Sequence, residues 1–127
     1  MKILTVVHQF FPQHYTGTER VVLNLSRQLQ RMGHNVKVLT YAVDSGEGLY
    51  PRGGFLVGEY SYQGIPVIAV RHEEPPDDLD FIFKDEGMQA LLESVIEEER
   101  VDIIHVCHPM RIGSIIPAAK VRNIPVV

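Results

Sequence analysis

A short, largely apolar run, Ile3 to Val7, is followed after a polar loop by an amphipathic run, Val21 to Met32, and then by a strand-like segment, Asn35 to Ala42. This succession constrains the fold more than any other feature of the chain. An apolar run of that length, bounded by polar residues, reads as a strand buried on both faces, while 3.6-residue apolar spacing predicts a helix. Strand, helix and strand in that order form a βαβ unit with parallel strands. Parallel strands end on one edge of their sheet, so the loop between the first strand and the first helix lies where open α/β sheets bind ligands.

That loop, His8 to Arg20, reads H-Q-F-F-P-Q-H-Y-T-G-T-E-R. Thr16 and Glu19 have the T-x-x-E spacing of a capping box, and Gly17 lets a ligand approach the backbone closely. Free N–H groups and the positive end of the helix dipole converge there, which suits an anion such as phosphate without a dedicated lysine.

The remaining chain extends the same pattern. The first helix is expected to bury Val21, Val22, Leu25, Leu29 and Met32 and to end at Gly33 in a left-handed cap. Asp44 to Gly58, rich in glycine, reads as a loop. Val57 to Tyr62 and Ile65 to Val70 flank Gln63-Gly64 as a hairpin whose second arm is the third sheet strand, with Pro66 at its beginning. His72 to Asp80 is an acidic, structure-breaking stretch in which Asp77, Asp78 and Asp80 read as solvated rather than as metal ligands. A second helix from about Asp85 to Arg100 turns Met88, Leu91, Leu92, Val95 and Ile96 inward, and three glutamates, Glu97 to Glu99, oppose its dipole and should fray its end. Val101 to Cys107 is the fourth strand and Ile112 to Val121 a third helix that tolerates Pro117 only in its first turn. Asn123 to Val127 begins a fifth strand, and the expected sheet order is 3-2-1-4-5. The chain reads as one Rossmann-like α/β domain over residues 1–127, the front part of a longer protein.

Composition narrows the function. Twelve Lys and Arg against sixteen Asp and Glu give a net charge of -4, the wrong sign for a nucleic-acid surface. A single cysteine, Cys107, rules out an internal disulfide framework and suits a reducing compartment. The N-terminus lacks the length of a signal peptide, and no run approaches the roughly 18 to 20 apolar residues of a membrane span. A soluble, cytoplasmic domain is expected, with peripheral membrane association left open.

At the carboxyl edge of the sheet, His8 after strand one should meet His105 and His108 at the end of strand four, beside Thr16 and Gly17. His105, inside a strand, reads equally as a hydrogen-bonded core residue; His108, before Pro109, is the better site candidate. Arg111, at the mouth of the third helix, suits a phosphate or carboxylate, or is a plain surface residue. His105, Cys107 and His108 make a poor zinc set, because alternate strand residues face opposite sides of the sheet. No G-x-G-x-x-G, no G-K-S or G-K-T and no G-x-S-x-G occurs, which removes the main support for dinucleotide, P-loop and nucleophile-elbow chemistry.

Taken together, K-I-L-T-V-V-H-Q-F-F-P at the front, T-G-T-E-R-V-V-L-N-L-S-R-Q-L and R-M-G-H-N-V-K-V-L-T after it, and the later D-I-I-H-V-C-H-P and N-I-P-V-V resemble the opening half of glycosyltransferase family 4. The resemblance implies the GT-B architecture of two Rossmann-like halves facing across a cleft. It implies transfer of a sugar from a nucleotide-sugar donor with retention, without a metal or other cofactor. It makes this chain the N-terminal, acceptor-side half, partnered by a C-terminal donor-binding domain. On that basis Thr16 and Gly17 form the loop that approaches the donor diphosphate, and His8, His108 and Arg111 line the acceptor side. The family's catalytic histidine is expected just after Val127, so none is assigned within the chain. The family usually has two glycines before T-E-R, whereas this chain has Thr16 in place of the first. The alternative from another class is a non-catalytic Rossmann-like binding or regulatory module.

Overall fold

A computed structural model describes residues 1–74 and 85–127. The elements are β1 (Lys2–Val7), α1 (Gly17–Arg31), β2 (Asn35–Tyr41), β3 (Tyr50–Arg52), β4 (Phe55–Tyr62), β5 (Ile65–His72), α2 (Glu86–Glu99), β6 (Ile103–Val106) and α3 (Ile115–Val121). They build one six-stranded sheet of order β3-β4-β5-β2-β1-β6. β5, β2, β1 and β6 are parallel, with Thr5 opposite Val38 on one side and His105 on the other. Val126 adds a parallel bridge beside Ile104. The expected order 3-2-1-4-5 is therefore present, extended at one edge by the antiparallel β4 and β3.

Alternation along the strands sorts the core into two layers. Leu4, Val6, Leu39, Ile68, Val70 and Ile104 pack with Met88, Leu92, Val95 and Ile96 of α2 and Ile115, Ala118 and Ala119 of α3. Val7, Val38, Ile65 and Val67 face the other way, with Val22 and Leu23 of α1 and with Phe10 and Phe11 of the loop after β1. β1 and β2 are thus covered on both faces, which explains their almost continuous apolar sequence.

Several expectations are corrected in detail. Helix α1 begins at Gly17, directly after the Thr16 cap that the T-x-x-E spacing predicts, but it buries Glu19, Val22, Leu23 and Ser26, whereas Val21 and Met32, expected inward, are 62% and 64% exposed. The buried set keeps i, i+3, i+4, i+7 spacing but includes two polar residues, so a purely apolar stripe is rotated away from the true face. The stretch 44–58 is not all loop: Arg52 and Phe55 close a hairpin over Gly53 and Gly54, both with positive φ, and pair β3 with β4. The hairpin between β4 and β5 turns at Gln63 and Gly64, again both at positive φ. Glu97 to Glu99 are not left to fray the helix. Glu99 meets Lys37 at 2.7 Å and Lys2 at 3.3 Å, Glu98 pairs with Arg52 and Glu97 lies 3.1 Å from Arg122, so cations from outside the helix offset the unfavourable dipole. Pro117 is the third residue of α3, within the first turn as required. Asp77, Asp78 and Asp80 lie outside the described residues.

Candidate functional site

The carboxyl ends of β1 and β6 deliver two histidines to one place. His8 follows Val7, and His108 is held by its backbone N–H, which donates to Val6 O at 3.3 Å beside the Cys107 N–H on the same oxygen. Their imidazoles meet with centroids 4.1 Å apart at a tilt of 39°. The Met110 N–H donates to His108 Nδ1 at 3.4 Å, so the His108 proton belongs on Nε2. His8 Nδ1 is buried without a hydrogen-bond partner among the described residues. Burial, aided by His108, Arg111 and His14 and opposed by Glu19, lowers the His8 pKa, so its imidazole is a neutral acceptor near neutral pH.

The start of α1 lies beside this pair. Glu19 is fully buried, and its carboxylate accepts from the Thr16 backbone N–H and the Thr16 hydroxyl, each at 2.6 Å, with Gln9 at 3.5 Å. Burial raises its pKa, but those hydrogen bonds and the nearby His8 outweigh it, leaving Glu19 below the usual carboxylate range and ionised. The expected capping box is present, and the spacing that revealed it gave no hint that Glu19 would be fully buried beside His8. Among the described residues nothing lies within 4 Å of where a Cβ on Gly17 would stand, so the first turn is open on that side.

Gly17 and Thr18 border a shallow depression with Val21 and Leu25 of α1 and with His105 and Cys107. His105 is half-buried there rather than enclosed in the core. Its ring nitrogens stand 3.9 and 4.0 Å from Cys107 Sγ, and burial raises the thiol pKa, keeping it protonated and poorly nucleophilic. Arg111 is half-buried with φ +68, and its Nη1 is buried without a hydrogen-bond partner among the described residues. Among the described residues no three His, Cys, Asp or Glu side chains form a metal-binding group, and no helix is long and apolar enough to cross a membrane. Chemically, the edge gathers cationic and N–H donors around a neutral imidazole, an arrangement suited to holding an anionic oxygen.

The sequence profile of Glycosyltransferase Family 4 matches residues 15–127. The chain belongs to glycosyltransferase family 4. The matched stretch takes in α1, His105, His108 and Arg111 and leaves His8 just ahead of it. Among solved structures, the family 4 chain is similar to the catalytic domain of starch synthase IV from Arabidopsis thaliana, bound to ADP and acarbose. The TM-score is 0.63 at 18% identity over 93% of this chain and 30% of that one. At that identity the likeness concerns the fold, which is that of a GT-B glycosyltransferase domain. The family 4 chain spans less than a third of the length of that structure. No curated protein sequence matched the chain.

Two features of the family 4 chain were not legible beforehand. Tyr41, His72, Asp85 and Ser114 form a buried polar relay: the Tyr41 hydroxyl contacts His72 Nδ1 at 2.8 Å, His72 Nε2 contacts Asp85 Oδ2 at 2.5 Å, and Ser114 donates to Asp85 O at 2.9 Å. A cavity also opens at the end of β2, beneath the loop after β1. Both depend on residues far apart in sequence, and no local motif marks either.

Proposed function

We propose that this chain is the N-terminal, acceptor-side half of a retaining glycosyltransferase that moves a sugar from a nucleotide-sugar donor to an acceptor. Thr16 and Gly17 approach the donor diphosphate. His8, His108 and Arg111 line the acceptor side of the cleft. The observation that carries this reading is the close approach of the His8 and His108 rings at the sheet edge that also holds the open first turn of α1, in a chain of this family. The nucleoside diphosphate in the starch synthase complex supports a nucleotide-sugar donor. A second, C-terminal domain completes the donor site, the reaction uses no resident metal or cofactor, and the catalytic histidine comes from outside residues 1–127. The half-buried, protonated Cys107 suits the cytoplasm, with contact to a membrane only where the acceptor is a lipid.

The test is Gly17→Val in the complete enzyme. A Cβ at this position meets no described atom, so the melting temperature should change little, while the valine methyl groups crowd a phosphate seated on the first turn. Turnover with a nucleotide sugar should fall by at least tenfold. Normal turnover would refute the role given to this loop, and an inverted product anomer would refute retention.

A further inference from the structure

Arg111 is held in an unfavourable state on two counts. Its φ of +68 is a left-handed conformation that a residue with a side chain keeps only when its surroundings impose it, and its Nη1 is buried without a hydrogen-bond partner among the described residues. It also lies within electrostatic reach of His8, so the loop between β6 and α3 delivers a guanidinium to the paired histidines.

That loop is anchored at both ends. At the β6 end the Cys107 and His108 N–H groups donate to Val6 O. At the α3 end the anchor is the buried Ser114, whose hydroxyl donates to Asp85 O at 2.9 Å and accepts the Asp85 N–H at 3.1 Å. Ser114 stands at the N-cap of α3, where a serine ordinarily accepts an N–H of its own helix, yet its side chain makes no such bond. Its hydroxyl is committed to the start of α2 instead.

Asp85 is in turn fixed on both carboxylate oxygens, Oδ1 by the Met88 N–H at 3.0 Å and Oδ2 by His72 Nε2. The Tyr41 hydroxyl accepts the His72 backbone N–H at 3.2 Å, leaving its own proton for His72 Nδ1, 2.8 Å away. In the neutral imidazole the ring hydrogen is then on Nε2, where it donates to Asp85. Tyr41 and His72 are buried residues of β2 and β5. The relay therefore runs from two sheet strands, through the start of α2, to the loop that carries His108 and Arg111. Away from water each of these bonds is strengthened and an unpaired member is costly, so the end of the loop has one arrangement rather than several.

We propose that His72 and Asp85 are positioning residues that act through Ser114: they fix the β6–α3 loop so that Arg111 presents its guanidinium beside His8 and His108, and losing them weakens the hold of this edge on a phosphate-type anion without removing any group that touches it. The proposal rests on the reading above of this edge as a place for an anionic oxygen of the substrates.

Backbone and arginine Nε–H signals of the isotope-labelled 127-residue chain are followed by NMR at pH 7.5 while inorganic pyrophosphate is added. The parent should bind in the millimolar range, with shifts at the amides of residues 16–18 and 108–111 and at the Arg111 Nε–H. Ser114→Ala and His72→Leu should each displace the Arg111 signal and weaken pyrophosphate at least threefold, whereas His72→Gln, whose amide still donates to Asp85, should stay within twofold of the parent. Val36→Ala opens the core near the amino end of β2, far along the strand from Tyr41, and isolates the effect of lost stability. It should lower the melting temperature at least as much as Ser114→Ala and leave both readouts unchanged. An unmoved Arg111 signal and pyrophosphate affinity in Ser114→Ala, a loss in His72→Gln equal to that in His72→Leu, or a comparable loss in Val36→Ala would each overturn the positioning role. A parent that binds no pyrophosphate would remove the anion reading of this edge; the Arg111 signal then decides alone, its displacement by Ser114→Ala and His72→Leu upholding the positioning role and its constancy overturning it.

Discussion

His8 and His108 come from opposite ends of the chain, yet their rings lie 4.1 Å apart because β1 and β6 are parallel neighbours that finish on the same edge. Two imidazoles at that distance cannot both take protons cheaply, and His8 is also partly removed from water. The folded protein therefore binds the His8 proton less readily than the unfolded chain.

The consequence is a pH-dependent loss of stability. A histidine whose pKa is lowered on folding lets the unfolded state bind protons first, so stability falls as pH drops through the unfolded value of 6.5 and keeps falling until the folded group is itself protonated. Thermal melts between pH 7.5 and 5 should show this decline, and His8→Gln should flatten it. Superimposable profiles for the two proteins would count against the pairing.

Glu19 acts in the opposite direction and at lower pH. Its pKa is depressed below 4.5 by the Thr16 hydrogen bonds, so its stabilisation is present above 4.5 and is lost as pH falls through the folded value. Glu19→Gln keeps the shape but removes the charge that both Thr16 donors meet. A loss of about 1–2 kcal/mol is expected by urea denaturation at pH 7, in the range of a broken helix cap. The difference from the parent should shrink below pH 4, and a constant difference would show that the carboxylate charge is immaterial.

Asp85 joins three elements at once. Its Oδ1 caps α2 by accepting from the Met88 N–H at 3.0 Å, its Oδ2 meets His72 of β5, and its backbone exchanges hydrogen bonds with Ser114 ahead of α3. Asp85→Ala should cost about 1–3 kcal/mol, the sum of a lost cap and a lost charge-assisted contact. Asp85→Asn, which can still cap, should cost clearly less. Equal losses in urea melts would mean that the cap, rather than the contact with His72, is dispensable.

What could be read from the residues follows a physical divide. β1, β2 and the inward face of α2 were legible because burial on both faces, or along one stripe, leaves a periodic apolar signature, as in Met88, Leu91, Leu92, Val95 and Ile96. The face of α1 was misjudged because Glu19 and Ser26 are buried within it, and polarity hides burial from any apolar count. β3 was hidden because three edge residues, one of them Pro51, carry no alternation. At the site, His8 and His108 could be paired from strand order alone. The relay from Tyr41 to Ser114 stayed hidden, because its members come from four separate segments that meet only in the folded chain.

The last expectation is that residues 1–127 alone transfer no sugar. Transfer requires the donor to be held in line with the acceptor and the departing diphosphate to be neutralised as charge develops on it. On the described surface the groups suited to that charge are Arg111, the His108 Nε2–H and the first turn of α1. All belong to one wall, and a diphosphate held from one side keeps its other oxygens in water, where stabilisation is weak. Incubating the purified chain with nucleotide sugars and candidate acceptors, beside the complete enzyme, should give product only with the latter. Inorganic pyrophosphate should bind the isolated chain no tighter than millimolar by titration calorimetry. Product above the no-enzyme background would show that one half holds a complete active site, and micromolar binding of a nucleotide sugar would move the donor site into this half.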